Sequence, residues 1–256
     1  MQAPRLRSFS ALRHRQESKG EASEHLESSP FLNTLSVLRT YYNIGIQSTT
    51  NPKTAQVVYG GYGESFSASD LAAFQAYYNV PSTPITGTSD ESLCNTTTTG
   101  NCNEGNLDVQ YITGIAANTK TYFINGASSS ATTFKYWLAN LVNLPILPRV
   151  ASISYGAAEL DLSPTELSLF DNEAIKLSAM GVTIVASSGD DGANSDQVEQ
   201  SSAYCGYVVN FPASSAYVLG VGATSGPGIP DLTSTILSKY VISSVFYRHK
   251  HARGGL

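Results

Sequence analysis

Short runs of β-branched and aromatic residues alternate along this chain with stretches of helical periodicity, and that alternation leaves few folds open. Val57-Val58-Tyr59 runs into Gly60-Gly61-Tyr62-Gly63, and Lys120–Ile124 forms a second run. Val150-Ala151-Ser152-Ile153-Ser154-Tyr155-Gly156, Val182–Ala186 and Tyr217–Val221 follow. Each reads as a buried strand, several ending at glycine. Helices are predicted between them. Ser67 stands three residues before Asp70 as a capping-box type start for a helix over about 68–79, with Pro81 past its end. Leu107, Tyr111, Ile112 and Ile115 recur at helical spacing, which predicts a helix over about 104–116. Another over about 130–143 includes Trp137, Leu138 and Leu141. Ser163-Pro164-Thr165-Glu166 sets serine at the N-cap, proline first in the helix and glutamate third, for a helix that runs to Met180 and stops at Gly181. Strands alternating with helices require right-handed crossovers and a mostly parallel sheet covered on both faces, a three-layer α/β fold. Ligands in such sheets sit at the carboxyl ends of the strands, so the loops after Gly60, Gly156 and Ser188 carry the interest.

The ends of the chain read differently. Residues 1–30 are rich in Ser, Glu, Arg and His without apolar periodicity, and are expected to form a disordered tail containing no secretory signal peptide. Residues 31–224 form the structured unit, with a Thr, Ser and Asn rich loop over about 82–103. Ser225-Gly226-Pro227-Gly228-Ile229-Pro230 breaks the pattern, and 225–256 are expected to be poorly ordered. With 256 residues, 41% of them hydrophobic, the chain is long enough for one domain or at most two. No stretch approaches the roughly 18 apolar residues of a membrane-spanning helix.

Charge and histidine placement narrow the chemistry. Residues 41–238 hold five basic and sixteen acidic residues. So acidic a body cannot neutralise a row of phosphates, which argues against nucleic acid as a partner. All four histidines, His14, His25, His249 and His251, lie in the two tails. A Ser-His-Asp or Cys-His site within the body is thereby excluded. Proton transfer in the body would fall to carboxylates, Tyr or Lys.

Glu104 and Asp108 stand four apart at the start of a predicted helix, so both carboxylates project from one face. If that face meets the sheet, two like charges cannot both ionise cheaply, and one carboxyl is left able to exchange a proton under mildly acidic conditions. The alternative is a pair of surface acids interacting with the helix dipole. Asp190, in Ser187-Ser188-Gly189-Asp190-Asp191-Gly192, follows a strand. It could be a metal ligand, a phosphate-accepting acid, a protonated acid facing a developing oxyanion, or ordinary turn chemistry. Ser154-Tyr155-Gly156 could offer backbone groups to an extended peptide. Three cysteines permit one disulfide, most economically Cys94 with Cys102, and Asn95-Thr96-Thr97 within that loop is a glycosylation sequon.

Four segments in order carry a resemblance: Glu104-Gly105-Asn106-Leu107-Asp108-Val109-Gln110-Tyr111, Ser152-Ile153-Ser154-Tyr155-Gly156, Ser188-Gly189-Asp190 and Phe211-Pro212-Ala213-Ser214-Ser215-Ala216-Tyr217-Val218. Together they resemble the sedolisin family, the serine-carboxyl peptidases that include the tripeptidyl-peptidases, over about 36–224. The resemblance implies a subtilisin-like fold, truncated at its C-terminal side. It implies Glu104 as general base, Asp108 as the acid that orients it, and Asp190 as the oxyanion acid. It further implies Ser154, Tyr155 and Gly156 as the substrate-binding strand edge, and Glu64 with Tyr155 as a supporting network. Substrates would be peptides or unfolded proteins, and the setting secreted or a lysosome-like or vacuole-like acidic compartment.

The family's nucleophile lies in a Gly-Thr-Ser motif well beyond the Phe-Pro-Ala-Ser-Ser stretch, followed by a calcium site. Neither is matched. Gly222-Ala223-Thr224-Ser225 mimics the motif but follows the 217–221 strand directly, too early for a nucleophile. The expectation is therefore a peptidase by descent without turnover and without a cofactor in this chain. The alternative is a non-catalytic peptide-binding remnant.

Overall fold

In the computed structural model, the described residues are 7–8, 34–46, 51–87, 89–94, 102–190 and 208–222. A six-stranded sheet, every neighbouring pair parallel, carries β2 (Ala55–Gly60), β3 (Ile85–Gly87), β4 (Lys120–Asn125), β5 (Pro148–Ile153), β7 (Thr183–Ser187) and β9 (Leu219–Val221) in the order β3-β4-β2-β5-β7-β9. β2 lies near the centre and is buried along its whole length.

Strand alternation builds the two cores. Val57 and Tyr59 of β2 face a cluster with Phe134, Trp137 and Leu138 of α4 (Thr133–Asn140) and Phe170, Ala174 and Leu177 of α5 (Pro164–Ala179). Val58 points the other way, into Phe66, Leu71, Val109 and Phe123, between the sheet and helices α2 (Ala68–Tyr77) and α3 (Asn103–Ile115). Consecutive residues of one strand thus serve opposite layers, as the period-two geometry of a strand dictates.

The helix starts form where expected. The Ser67 hydroxyl accepts from Asp70 N, and Ser163 with Glu166 closes a full capping box at α5. Gly181 follows α5 at φ +82°.

Elsewhere the structure corrects the sequence expectation. The 82–103 loop contains β3 and a 3-10 turn over Glu91–Cys94. A helix over Leu35–Tyr41, α1, was not anticipated; Thr34 caps it, and Arg39 donates to the carbonyls of Gly114 and Ile115 at the end of α3. The strand read over 150–156 is two strands. β5 belongs to the main sheet, whereas β6 (Tyr155–Ala158) leaves it at Ser154 and enters a small antiparallel sheet. There β6 pairs with β8 (Asn210–Phe211) and with β1 (Arg7–Ser8), Arg7 opposite Gly156 and Ser8 opposite Tyr155. Arg7 and Ser8 therefore depart from the disorder expected of residues 1–30. The remainder of that tail, Asn95 and the whole of 225–256 lie outside the described residues. No described helix is long and apolar enough to cross a membrane.

Candidate active site

The C-terminal ends of β2, β4, β5 and β7 converge on the first two turns of α3. Cys102, the N-cap of α3, makes no side-chain capping hydrogen bond, and its sulfur is bonded to Cys94. Two residues on, Glu104 is only 4% exposed. The surface-acid alternative for this pair therefore fails: the helix face that carries both carboxylates meets the sheet. Gly105 makes this seating possible, because a Cβ there would collide with the Ser65 backbone.

Glu104 and Asp108 are held in different ways. The Ser154 hydroxyl donates to Asp108 Oδ1 at 2.7 Å. Asp108 keeps some residue surface, yet its Oδ2, like Glu104 Oε2, is out of solvent's reach and has no hydrogen-bond partner. Burial pushes Glu104 up to about 9, helped by the charges of Asp108, Glu64 and Asp190 and opposed by the Ser154 hydroxyl. Burial likewise lifts Asp108 to about 7, against the Ser154 hydrogen bond and with repulsion from Glu64. A cluster of this kind retains protons where isolated carboxylates would have lost them.

Glu64 reaches the cluster from the β2–α2 turn. Its Oε2 accepts from Gly61 N at 3.2 Å. A Cβ on Gly61 would stand 2.8 Å from the Tyr155 hydroxyl oxygen and 2.9 Å from the Glu64 carboxyl carbon, so the two groups converge over a position only glycine can fill. Burial raises Glu64, opposed by the Tyr155 hydroxyl and the Gly61 N–H. Tyr155 is buried, and its hydroxyl is held well above the usual tyrosine range by burial and by the Glu64 charge.

Asp190 is exposed at the end of β7, where its charge bears on Glu104. Gly189, at φ +97°, shapes the turn leading to it. Asn210 of β8 donates to Ser188 O at 3.0 Å, tying the Phe211–Val218 segment to this turn. Glu64, Glu104, Asp108, Ser154, Tyr155 and Asp190, all singled out from sequence, thus gather at one end of the sheet. Gly156 presents its backbone to β1. Ser225 lies outside the described residues. Among the described residues no group of three His, Cys, Asp or Glu is placed to hold a metal ion. Sequence reasoning missed Gly61, Asn125 and Asn210. Only the glycine run after β2 gave any signal.

A parallel sheet between two helix layers, with buried carboxyls where its strands end, defines a subtilisin-like fold. Residues 85–238 match the subtilase family, peptidase S8, and the chain belongs to that family of serine peptidases. It is 33% identical to tripeptidyl-peptidase 1 of Canis lupus familiaris over 230 residues, which is 84% of this chain and 38% of that protein. With tripeptidyl-peptidase 1 of Dictyostelium discoideum it shares 32% over 193 residues, 73% of this chain and 30% of that protein. The chain therefore spans well under half the length of the curated relatives it matches. Pseudomonas sedolisin, a serine-carboxyl proteinase, superposes with a TM-score of 0.53 at 22% identity, covering 73% of this chain and 51% of that one, a likeness of fold.

Proposed function

We propose that this site is the acid–base half of an acid-acting serine-carboxyl peptidase. Glu104 is the general base, Asp108 orients it, and Asp190 donates to the oxyanion of the tetrahedral intermediate. The observation that carries this reading is the buried Glu104 carboxyl beside Asp108, whose own carboxylate is fixed by Ser154. With no histidine in residues 41–238, proton transfer falls to carboxyl groups, which suits mildly acidic conditions, and the Cys94–Cys102 bond suits a secretory or lysosome-like route. Substrates would be peptides or unfolded proteins, laid along Ser154, Tyr155 and Gly156 in the place that β1 takes in this structure.

Gly222-Ala223-Thr224-Ser225 comes directly after β9 in the sequence, too early to match the family's Gly-Thr-Ser nucleophile, so the 256-residue chain alone is expected to show no turnover. The test is hydrolysis of an unstructured peptide between about pH 3 and 5. Turnover that Glu104→Gln abolishes would establish the full mechanism and overturn the expected inactivity. Turnover that survives Glu104→Gln would remove Glu104 from its role.

A second reading, a non-catalytic peptide-binding remnant, is favoured by one observation: β6 accepts an antiparallel strand along Tyr155 and Gly156, from β1. Affinity for an extended peptide that falls when proline replaces Gly156 would support it.

A further inference from the structure

Asn125, the last residue of β4, carries a side chain that the acid–base reading does not use. Its Nδ2 donates to the carbonyl oxygens of Gly61 and Glu64 at 2.7 and 2.8 Å. Those two residues are the first and last of a four-residue turn, closed by Glu64 N donating to Gly61 O at 3.1 Å. Gly63 occupies the third position at φ +75°, as a type II turn requires. One amide group, with two N–H bonds to give, therefore spans both ends of the turn.

The placement follows from the sheet. Asn125 sits opposite Gly60 in the parallel β2–β4 register, and Gly126 N donates to Gly60 O at 2.8 Å where the ladder ends. Beyond that bond β2 has no further pairing with β4. The Asn125 side chain extends the connection past the last backbone rung, to the four residues that bring Glu64 to the cluster.

We propose that Asn125 is a positioning residue, which clamps the Gly61–Glu64 turn so that the Glu64 carboxylate is held against Tyr155 and within electrostatic reach of Glu104 and Asp108. The inference rests on reading those two acids as the acid–base pair. The groups that bear on the pair are Glu64 from the turn, Ser154 and Tyr155 from the β5–β6 junction, and Asp190 from the end of β7. Glu64 raises both members, so a clamp on Glu64 sets how readily they ionise. A side chain that merely ended β4 would affect stability and leave their ionisation alone.

The test is carboxyl-carbon NMR titration of the full chain, compared with thermal unfolding. Loosening the turn lets Glu64 withdraw toward water and lessens its repulsion. Asn125→Ala is expected to weaken the proton affinity of Asp108 by about threefold or more, in the same direction as Glu64→Gln. In the Glu64→Gln background, Asn125→Ala is expected to have no further effect. If Asn125→Ala does not fold, Asn125→Ser, which keeps one donor, serves instead and gives a smaller shift of the same sign. An unchanged Asp108 midpoint alongside a lowered unfolding temperature would overturn the proposal, as would full additivity with Glu64→Gln. Because hydrolysis is not read, an inactive chain leaves this result interpretable. Failure of the clamp would equally leave Glu104 free to act as base.

Discussion

Ser154 donates its hydroxyl hydrogen to Asp108 Oδ1 across 2.7 Å, joining the residue at which β6 leaves the main sheet to the second turn of α3. The contact fixes the face that α3 turns inward, and it supplies the buried Asp108 carboxylate with its hydrogen-bond donor.

Removing that donor has a defined sign. Ser154→Ala takes away the interaction that opposes the burial of charged Asp108, so its proton affinity rises further. Carboxyl-carbon NMR should show the Asp108 midpoint moving upward from about 7. A downward shift would mean that the hydroxyl favours the protonated form instead.

Stability should fall as pH rises. Glu104 ionises near 4.5 in an ordinary environment and near 9 in the folded chain, and Asp108 goes from 3.8 to about 7. Both folded values are raised, so this pair's contribution is fully present below about pH 4 and is lost as pH climbs through 4.5 to 9. Glu104→Gln mimics the protonated state. It should stabilise the chain at pH 7 by on the order of 2 kcal/mol, each tenfold in proton affinity being worth ~1.4 kcal/mol. Chemical denaturation at pH 4 and pH 7 measures both effects; a variant less stable than the parent at pH 7 would contradict them.

Gly61→Ala forces a methyl group between the Tyr155 hydroxyl and the Glu64 carboxyl. The cost should be about 1–3 kcal/mol, as for other overpacked sites. Denaturant titration reads it, and a neutral result would show that Tyr155 and Glu64 separate freely.

Reduction of Cys94–Cys102 reopens a loop with a sequence separation of eight. Chain entropy puts the loss at about 2.5 kcal/mol. Unfolding midpoints with and without reductant give the comparison. Cys94→Ser should reproduce the reduced value.

The alternation of strands and helices, and the serine starts of α2 and α5, were legible because they rest on local chemistry: caps, turn glycines and apolar periodicity. Glu104 and Asp108 could be paired from spacing alone, yet spacing is blind to which helix face is covered. Burial of that face depends on Gly105 passing close to Ser65, a contact between segments forty residues apart. The break at Ser154 was hidden for a similar reason, since the serine's partner lies on α3 and the sequence around it reads as one continuous strand. β3 was lost in a polar loop. Asn125 gave no sign, because a strand-final asparagine looks the same whether it faces water or spans a turn.

At α2 and α5 a serine hydroxyl finishes the first helical turn, and such a cap forms wherever the chain folds. At α3 that place is taken by half of a cystine. An oxidant has to make that bond, and thiol-reducing cytosol withholds it. The helix bearing the two central acids is therefore completed by an oxidation and not by a local hydroxyl. A redox reaction, recorded in a single pair of sulfurs, thus stands at the start of α3 where its neighbours rely on the chain's own hydrogen bonds.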